Sequence, residues 1–312
     1  MLLSAIKEND NNETRVSISP ESVKLFSRLG FEVIIENGAG ETSGYQNSNY
    51  EEAGAKIVTR SECLKADVCL CVRMPSTDDI NNLKSNSLLI GILNPYENKS
   101  EFSNLNKNKI SSCCMELIPR ISRAQSMDVL SSQANLAGYR SVIDAAEQFG
   151  KAFPMMMTAA GRVNPAKVMI LGVGVAGLQA IATAKRLGAV VSATDVRAAT
   201  KEQVESLGGK FIMVEDDEAQ NAETAGGYAK EMSDDYKKKQ AQLIAETVSK
   251  QDIVICTALI PGKKAPVLVT EEMVSSLIPG SVVIDLAVEA GGNCPLSKMN
   301  EIVIHNGVKI VG

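Results

Sequence analysis

The sequence predicts an α/β protein of two domains, each built around a parallel sheet. The chain has 312 residues, which exceeds the usual size of one domain, about 150 residues. Short apolar segments alternate with polar segments of helical period, a pattern typical of strand–helix–strand units. Hydrophobic residues make up 45% of the chain and charged residues 22%, which is ordinary for a globular protein.

The first half of the chain supplies the first set of elements. Strands are predicted at residues 2–6, 31–36, 67–73, 87–93 and 109–116. A helix is predicted at residues 20–29, because Ser19 suits an N-cap, Pro20 the first position and Gly30 the C-terminal end. Shorter helices are predicted at residues 61–66, 77–83 and 99–108. Residues 117–135 show neither period, and we expect an irregular polar segment there.

The second half shows a clearer pattern. A long helix at residues 135–149 is predicted to connect the domains, which we place at residues 1–133 and 134–312. Strands follow at 167–172, 189–195, 210–214, 252–258 and 281–287, and helices at 176–187, 201–207, 236–250 and 270–277. A long polar insertion occupies residues 215–235. The pair Asn306-Gly307 between apolar segments predicts a terminal hairpin.

A nucleotide-binding motif lies between the first strand and first helix of the second domain. Gly172, Gly174 and Gly177 fit the dinucleotide fingerprint of a Rossmann-like domain. The first glycine permits a tight turn, the second lets the pyrophosphate approach, and the third lets helix and strand pack closely. The next strand ends in Asp195, whose carboxylate suits the adenosine ribose and repels a 2′-phosphate. NAD(H) is therefore favoured over NADP(H).

Composition excludes several classes of function. The net charge of −5 argues against nucleic acid as a partner, and no uncharged apolar segment approaches the length of a membrane span. Seven cysteines without a Cys-x-x-Cys pair indicate buried free thiols in a reducing compartment. The chain has one histidine, His305, so metal sites built on several histidines are excluded, and we predict no metal.

The same histidine bears on the reaction. Nicotinamide enzymes that oxidise alcohols or amines need a positioned acid or base, most often histidine. His305 lies at the end of a predicted hairpin strand, which favours a surface position. Hydride exchange between two nicotinamides needs no proton carrier, only two rings held together with water excluded.

Several long strings carry a resemblance to a known family. They lie at residues 119–128 (PRISRAQSMD), 131–139, 172–195, 226–232 (GGYAKEM), 257–262 (TALIPG) and 285–294. In these strings the sequence resembles the NAD(H)-binding component, domain I or alpha subunit, of proton-translocating NAD(P) transhydrogenase, in the superfamily of alanine dehydrogenase. The resemblance is looser in the N-terminal third but extends over essentially the whole chain.

The resemblance implies site residues. Arg120, Gln125, Asp128 and Ser131 match the loop that holds the nicotinamide end of NAD(H). Tyr228, behind Gly227, matches a loop that closes over the nucleotide. With the fingerprint residues included, the set expected to bind the cofactor is Gly172, Gly174, Val175, Ala176, Gly177, Asp195, Val196, Arg197, Gly227, Tyr228, Ala258 and Leu259.

The resemblance also implies an assembly. NAD(H) would lie in the cleft between two Rossmann-like domains, and hydride would pass to NADP⁺ on a partner NADP(H)-binding domain. A membrane domain with a proton channel would couple this transfer to proton translocation. The chain would form a homodimer, cytoplasmic or in an organelle matrix and peripheral on the inner membrane. In the family the chain continues past Gly312 and returns to the first domain, so an exposed apolar patch is expected on that domain.

Two other functions remain open. Alanine dehydrogenase shares this architecture and resembles the chain at Arg15. It would have a lysine before Met74 and a histidine at the end of strand 88–93, where this sequence has Arg73 and Asn94. These differences remove an acid–base pair and disfavour alanine oxidation. The second alternative is an NAD(H)-binding module without catalysis of its own.

Overall fold

The computed structural model describes residues 1–214, 233–260 and 262–312, with Tyr236 and Lys237 described by their backbone alone. The chain divides into two compact units, Met1–Val129 and Leu130–Gly312, called here the N-terminal and C-terminal units. The boundary expected after residue 133 lies inside a helix that begins at Val129, and it stays a prediction.

The N-terminal unit contains a six-stranded sheet of parallel strands in the order β3-β2-β1-β4-β5-β6. Its strands are β1 (Leu2–Ala5), β2 (Glu32–Glu36), β3 (Lys56–Val58), β4 (Val68–Leu70), β5 (Leu88–Gly91) and β6 (Ser111–Cys114). Its helices are α1 (Pro20–Arg28), α2 (Asn47–Glu52), α3 (Arg60–Cys63), α4 (Thr77–Asn82) and α5 (Lys99–Lys107). Short 3₁₀ helices cover Glu41–Ser43, Met115–Leu117 and Ser122–Met127.

The C-terminal unit contains a sheet that has seven strands among the described residues, in the order β11-β10-β9-β12-β13-β15-β14. Its strands are β9 (Lys167–Leu171), β10 (Val190–Thr194), β11 (Lys210–Phe211), β12 (Ile253–Cys256), β13 (Val282–Asp285), β14 (Ile302–His305) and β15 (Val308–Val311). A separate hairpin pairs β7 (Met156–Thr158) with β8 (Gly161–Val163). The helices are α6 (Val129–Gln148), α7 (Val175–Arg186), α8 (Thr200–Ser206), α9 (Asp234–Val248) and α10 (Glu271–Ser276).

Strand β9 shows why the C-terminal sheet is buried on both faces. Val168 and Ile170 pack into one hydrophobic cluster, whereas Met169 and Leu171 pack into a second one. Because successive side chains of a strand point to opposite faces, a strand that is apolar throughout requires cover on both sides. The predicted fold class, two Rossmann-like units with parallel sheets, is confirmed.

Several elements differ from the sequence predictions. Helix α6 begins at Val129, whereas the sequence predicts an irregular segment at residues 117–135. Its first two turns contain no buried residue, and Gly138 is the first one to be buried, so the stretch carries no apolar period. Elements α2 and β3 and the exposed β7–β8 hairpin are also absent from the predictions, since segments of three to six residues hold too few positions to establish a period.

Two smaller predictions have clear outcomes. Asn306 and Gly307 both have positive φ, 50° and 79°, and they join the antiparallel strands β14 and β15 as expected for a tight hairpin turn. All seven cysteines, each in the described part of the chain, are free. The expectation of burial is wrong for Cys113, which is exposed on the edge strand β6.

Within the described ranges, the helices are all too short or too polar to cross a lipid bilayer.

Candidate nucleotide-binding site

The glycine-rich turn after β9 has the geometry that the fingerprint requires. Gly172 has a φ of 97°, a left-handed conformation that glycine adopts without steric cost. A Cβ added to Gly177 would overlap the carbonyl oxygen of Gly172, so only glycine lets α7 start this close to the strand. Around Gly174, in contrast, a Cβ would meet no atom within 4 Å. The turn therefore packs tightly against protein atoms at Gly172 and Gly177, whereas space for a ligand is left at Gly174.

Helix α7 begins directly at this open position. Gly174 is its N-cap, and Val175 and Ala176 form its first turn. The first N–H groups of a helix have no partner within it, and the helix dipole places partial positive charge there. An anion such as a diphosphate is stabilised at such a terminus. The residues present thus fit a dinucleotide.

Asp195 follows β10 and faces the same turn. One carboxylate oxygen, Oδ2, accepts a hydrogen bond of 2.7 Å from the Val173 N–H. The guanidinium of Arg197 donates to both carboxylate oxygens at 2.9 Å, and the Arg197 N–H donates to Oδ1. The carboxylate predicted to accept the ribose hydroxyls therefore lies beside the turn and is engaged in a salt bridge. Val196, between the two residues in the chain, is half-buried.

Two polar side chains hold the loop after β12: Thr257 ties it to the turn, and Asn293 ties it to the loop after β13. Thr257 Oγ1 donates to the carbonyl oxygen of Gly172 at 2.9 Å. Asn293, completely buried, binds the backbone of Ala258 twice: its Oδ1 accepts from the Ala258 N–H and its Nδ2 donates to the Ala258 carbonyl. The expected cofactor contact Ala258 thus lies beside the turn, and the next residue, Leu259, is about half exposed.

A buried carboxylate organises the segment that carries Asn293. Asp285, at the end of β13, accepts hydrogen bonds from the N–H groups of Ala287, Asn293 and Cys294 and from the Ser297 hydroxyl. Neither Asn293 nor Thr257 is among the predicted site residues. Both nevertheless belong to strings that carry the family resemblance, 257–262 and 285–294. Both also lie just past the carboxyl ends of strands, where ligands sit in open α/β sheets.

Of the four residues expected to hold the nicotinamide, three lie in the N-terminal unit and Ser131 lies in the C-terminal unit. Arg120 and Asp128 flank the 3₁₀ helix Ser122–Met127, and the guanidinium Nε lies 3.7 Å from a carboxylate oxygen of Asp128. Gln125 is exposed on that 3₁₀ helix. Ser131 lies in the first turn of α6, in the C-terminal unit. Gly227 and Tyr228 lie outside the described residues.

A second cluster of charged groups lies in the N-terminal unit, past the ends of β1 and β4. The buried Glu13 carboxylate pairs with Arg15 at 2.6 Å and with Arg73 at 2.9 Å. Burial opposes its ionisation, but the hydrogen bonds from the two arginines outweigh burial and lower the pKa of Glu13 to about 2. Neighbouring Glu8 accepts the N–H groups of Val72 and Arg73, and burial raises its pKa.

The described contacts of His305 are not those of a serine–histidine–acid relay. Its Nε2 lies 3.0 Å from the Ser275 hydroxyl and 3.9 Å from a Glu271 carboxylate oxygen. A serine–histidine–acid relay needs the acid on the other ring nitrogen. The residue sits on β14, at the edge of the sheet, as expected for a strand-end side chain. Among the described residues, no group of three or more potential ligands is arranged to hold a metal ion.

Comparison with known families covers almost the whole chain. The family model described as alanine dehydrogenase/PNT, N-terminal domain, matches residues 4–137. The model described as alanine dehydrogenase/PNT, C-terminal domain, matches residues 141–312.

Individual relatives separate the two branches of this family. Over its full length, the chain is 59% identical to the first part of NAD(P) transhydrogenase subunit alpha from Rhodospirillum rubrum, and it covers 83% of that protein. A solved transhydrogenase structure from Sinorhizobium meliloti matches the whole chain with a TM-score of 0.90 and 51% identity, and the chain covers 86% of it. A solved L-alanine dehydrogenase also matches the whole chain, with a TM-score of 0.83 but 25% identity, over 82% of that structure.

Proposed function

The chain belongs to the alanine dehydrogenase/PNT family, and we propose that its C-terminal unit binds NADH as the hydride donor of a transhydrogenase reaction. The predicted assignment to transhydrogenase is confirmed: the chain is a component of an NAD(P) transhydrogenase, as its full-length similarity to the first part of subunit alpha shows. The proposal concerns which nucleotide this component binds, where, and with what partners.

One observation carries the proposal. The open turn at Gly174 and the carboxylate of Asp195 lie on the same edge of the sheet and are joined through the Val173 N–H. A diphosphate at the start of α7 and a ribose at Asp195 are the two halves of an ADP moiety. NADH, a substrate here, would supply a hydride that leaves its C4 and adds to C4 of NADP⁺, without release or uptake of a proton from a side chain.

The nicotinamide end is assigned to residues near the boundary between the two units along the chain. We propose that Asp128 and Arg120 bond the carboxamide of the ring, which fixes the face that is presented to the acceptor. Gln125 and Ser131 would reach the ribose or the partner's nucleotide. Gly227 and Tyr228 would belong to a segment that closes over the bound nucleotide and excludes water.

The reaction requires partners. NADP⁺ would be held by a separate NADP(H)-binding domain, and a membrane domain with a proton channel would couple hydride transfer to proton movement. The name of the Rhodospirillum rubrum relative, which makes it one part of subunit alpha, supports association with further parts. We propose in addition that the chain acts as a homodimer, peripheral on the inner face of the membrane that carries those parts.

Reconstitution tests the proposal. The chain is titrated with NADH while the fluorescence of the dihydronicotinamide is followed, and an NADP(H)-binding domain loaded with NADP⁺ is then added. Saturable NADH binding followed by reduction of NADP⁺ is expected. NADH binding without transfer to a competent partner domain would favour a module without catalysis, and robust turnover of alanine with NAD⁺ would favour an alanine dehydrogenase.

A further inference from the structure

The carboxylate expected to receive the adenosine ribose is paired with a cation. Arg197 Nε donates to one oxygen of Asp195 and Arg197 Nη2 donates to the other, each at 2.9 Å. The same Nη2 also donates to the Val173 carbonyl at 3.2 Å. Both side chains are largely buried, with 7% of Asp195 and 18% of Arg197 exposed. The guanidinium is thus fixed beside the position where the ribose 2′ group would arrive.

This arrangement combines two features that distinguish dinucleotide sites. An acidic residue after the second strand accepts hydrogen bonds from a free ribose 2′-hydroxyl, whereas an arginine nearby accommodates a 2′-phosphate. The present chain has both residues, two positions apart, and they form a bidentate salt bridge. Such a pair fixes a planar guanidinium more firmly than a single contact does.

We infer that Arg197 is a latent 2′-phosphate ligand and that Asp195 excludes NADP(H) chiefly by engaging the hydrogen-bond donors of this guanidinium. The inference deepens the proposed function and rests on it, since it names the residue that sets nucleotide choice at that site. It predicts that loss of the carboxylate does more than weaken NAD(H) binding. The freed guanidinium turns the same site toward 2′-phosphorylated nucleotides.

The test compares two probes that share the adenosine end and differ only in the 2′ group, 5′-ADP and 2′,5′-ADP. Binding of each is measured by calorimetry to the full chain and to Asp195→Ser, Asp195→Asn, Arg197→Ala and the double variant Asp195→Ser/Arg197→Ala. Asp195→Asn keeps an acceptor for the Val173 N–H, so it reports on the charge even where the serine variant folds poorly. Thermal unfolding of each protein is recorded as a control for folding.

The expected pattern is an exchange of preference. The unmodified chain binds 5′-ADP more tightly, and Asp195→Ser gains about tenfold or more for 2′,5′-ADP, as expected for hydrogen bonds to a charged group. Asp195→Asn gains less in the same direction. The gain disappears in the double variant and falls as salt is raised, since salt screens the attraction between the guanidinium and the phosphate. Arg197→Ala alone binds 2′,5′-ADP no better than the unmodified chain.

Two results would overturn the inference and leave the proposed function standing: no gain for 2′,5′-ADP in either Asp195 variant, or a gain that persists in the double variant. Failure of the unmodified chain to bind 5′-ADP would overturn the nucleotide site itself and the inference with it.

Discussion

Asn293 shows how much of the site depends on one side chain. Its amide makes three hydrogen bonds to backbone groups of the loop after β12, two of them to Ala258 and one to the Pro266 carbonyl. An amide offers both a donor and an acceptor. No other side chain of this size can satisfy an N–H and two carbonyl groups at once. The loop that is expected to contact the nucleotide is therefore fixed by the loop after β13.

We expect Asn293→Asp to destabilise the chain by about 1–3 kcal/mol, because a buried carboxylate oxygen would face two carbonyl oxygens. Denaturation by urea measures this effect. Asn300→Asp is the matched control, since Asn300 is exposed with a φ of 60°, and it should change stability by no more than about 0.5 kcal/mol. Equal losses of stability in the two variants would show that the hydrogen bonds of Asn293 to Ala258 do not stabilise the chain.

Glu13 makes the stability of the N-terminal unit depend on pH. Its pKa falls from an ordinary value of 4.5 to about 2 in the folded chain, so the folded state binds this proton less tightly than the unfolded state. The stabilisation is therefore fully present above pH 4.5 and is lost as pH falls toward 2.

Unfolding of the unmodified chain and of Glu13→Gln at a series of pH values tests this prediction. The variant should be less stable at neutral pH, and the difference should shrink as the medium is acidified below pH 4.5. Glu51→Gln, at an exposed helical position, serves as a control with a small effect throughout. A difference for Glu13→Gln that stays constant from neutral to acidic pH would contradict a role for the charge.

At the scale of elements, the backbone of α6 at Gly138 lies so close to the backbone of α7 that no side chain fits between them. A Cβ added to Gly138 would overlap the carbonyl oxygen of Ala176, in the first turn of the helix that is expected to hold the diphosphate. The contact lies entirely within the C-terminal unit. Helix α6 therefore positions the beginning of α7 through its backbone.

Gly138→Ala should move the start of α7 and weaken NADH binding about tenfold or more, since a shift of some tenths of an ångström disturbs fixed N–H groups. Gly150→Ala is the control: it lies just past the same helix, and its added Cβ would meet no atom within 4 Å. Fluorescence titration with NADH and thermal unfolding separate a local effect on binding from general destabilisation. Unchanged NADH affinity in Gly138→Ala would rule out this role for the contact.

The elements also show where pattern reading succeeds. Strands β9 and β12 and helix α7 are predicted correctly because each has an unbroken apolar pattern with clear ends. The pattern starts helix α6 six residues too late, since its first two turns contain no buried residue and carry no apolar period. The pairing of Asp195 with Arg197 has no signal in the sequence, because two charged residues at that spacing pair only when the loop between them turns back.

For the molecule as a whole, the proposed reaction predicts the fate of a label. NADH carrying deuterium at C4, on the face that donates, should deliver the deuterium to NADPH in the reconstituted complex with no loss to water, because no side chain receives the hydrogen. Mass spectrometry of the NADPH formed measures the transfer. Appearance of solvent hydrogen in NADPH would contradict direct handover between the two nicotinamides.

The two α/β units, the glycine turn and the acidic residue after the next strand can all be read from the chain alone, because they follow from local periodicity and from the steric demands of single residues. Three contacts needed the folded molecule: Arg197 on Asp195, Asn293 on Ala258, and Gly138 against the start of α7. Each depends on distances and angles that arise on folding and that no spacing along the chain encodes.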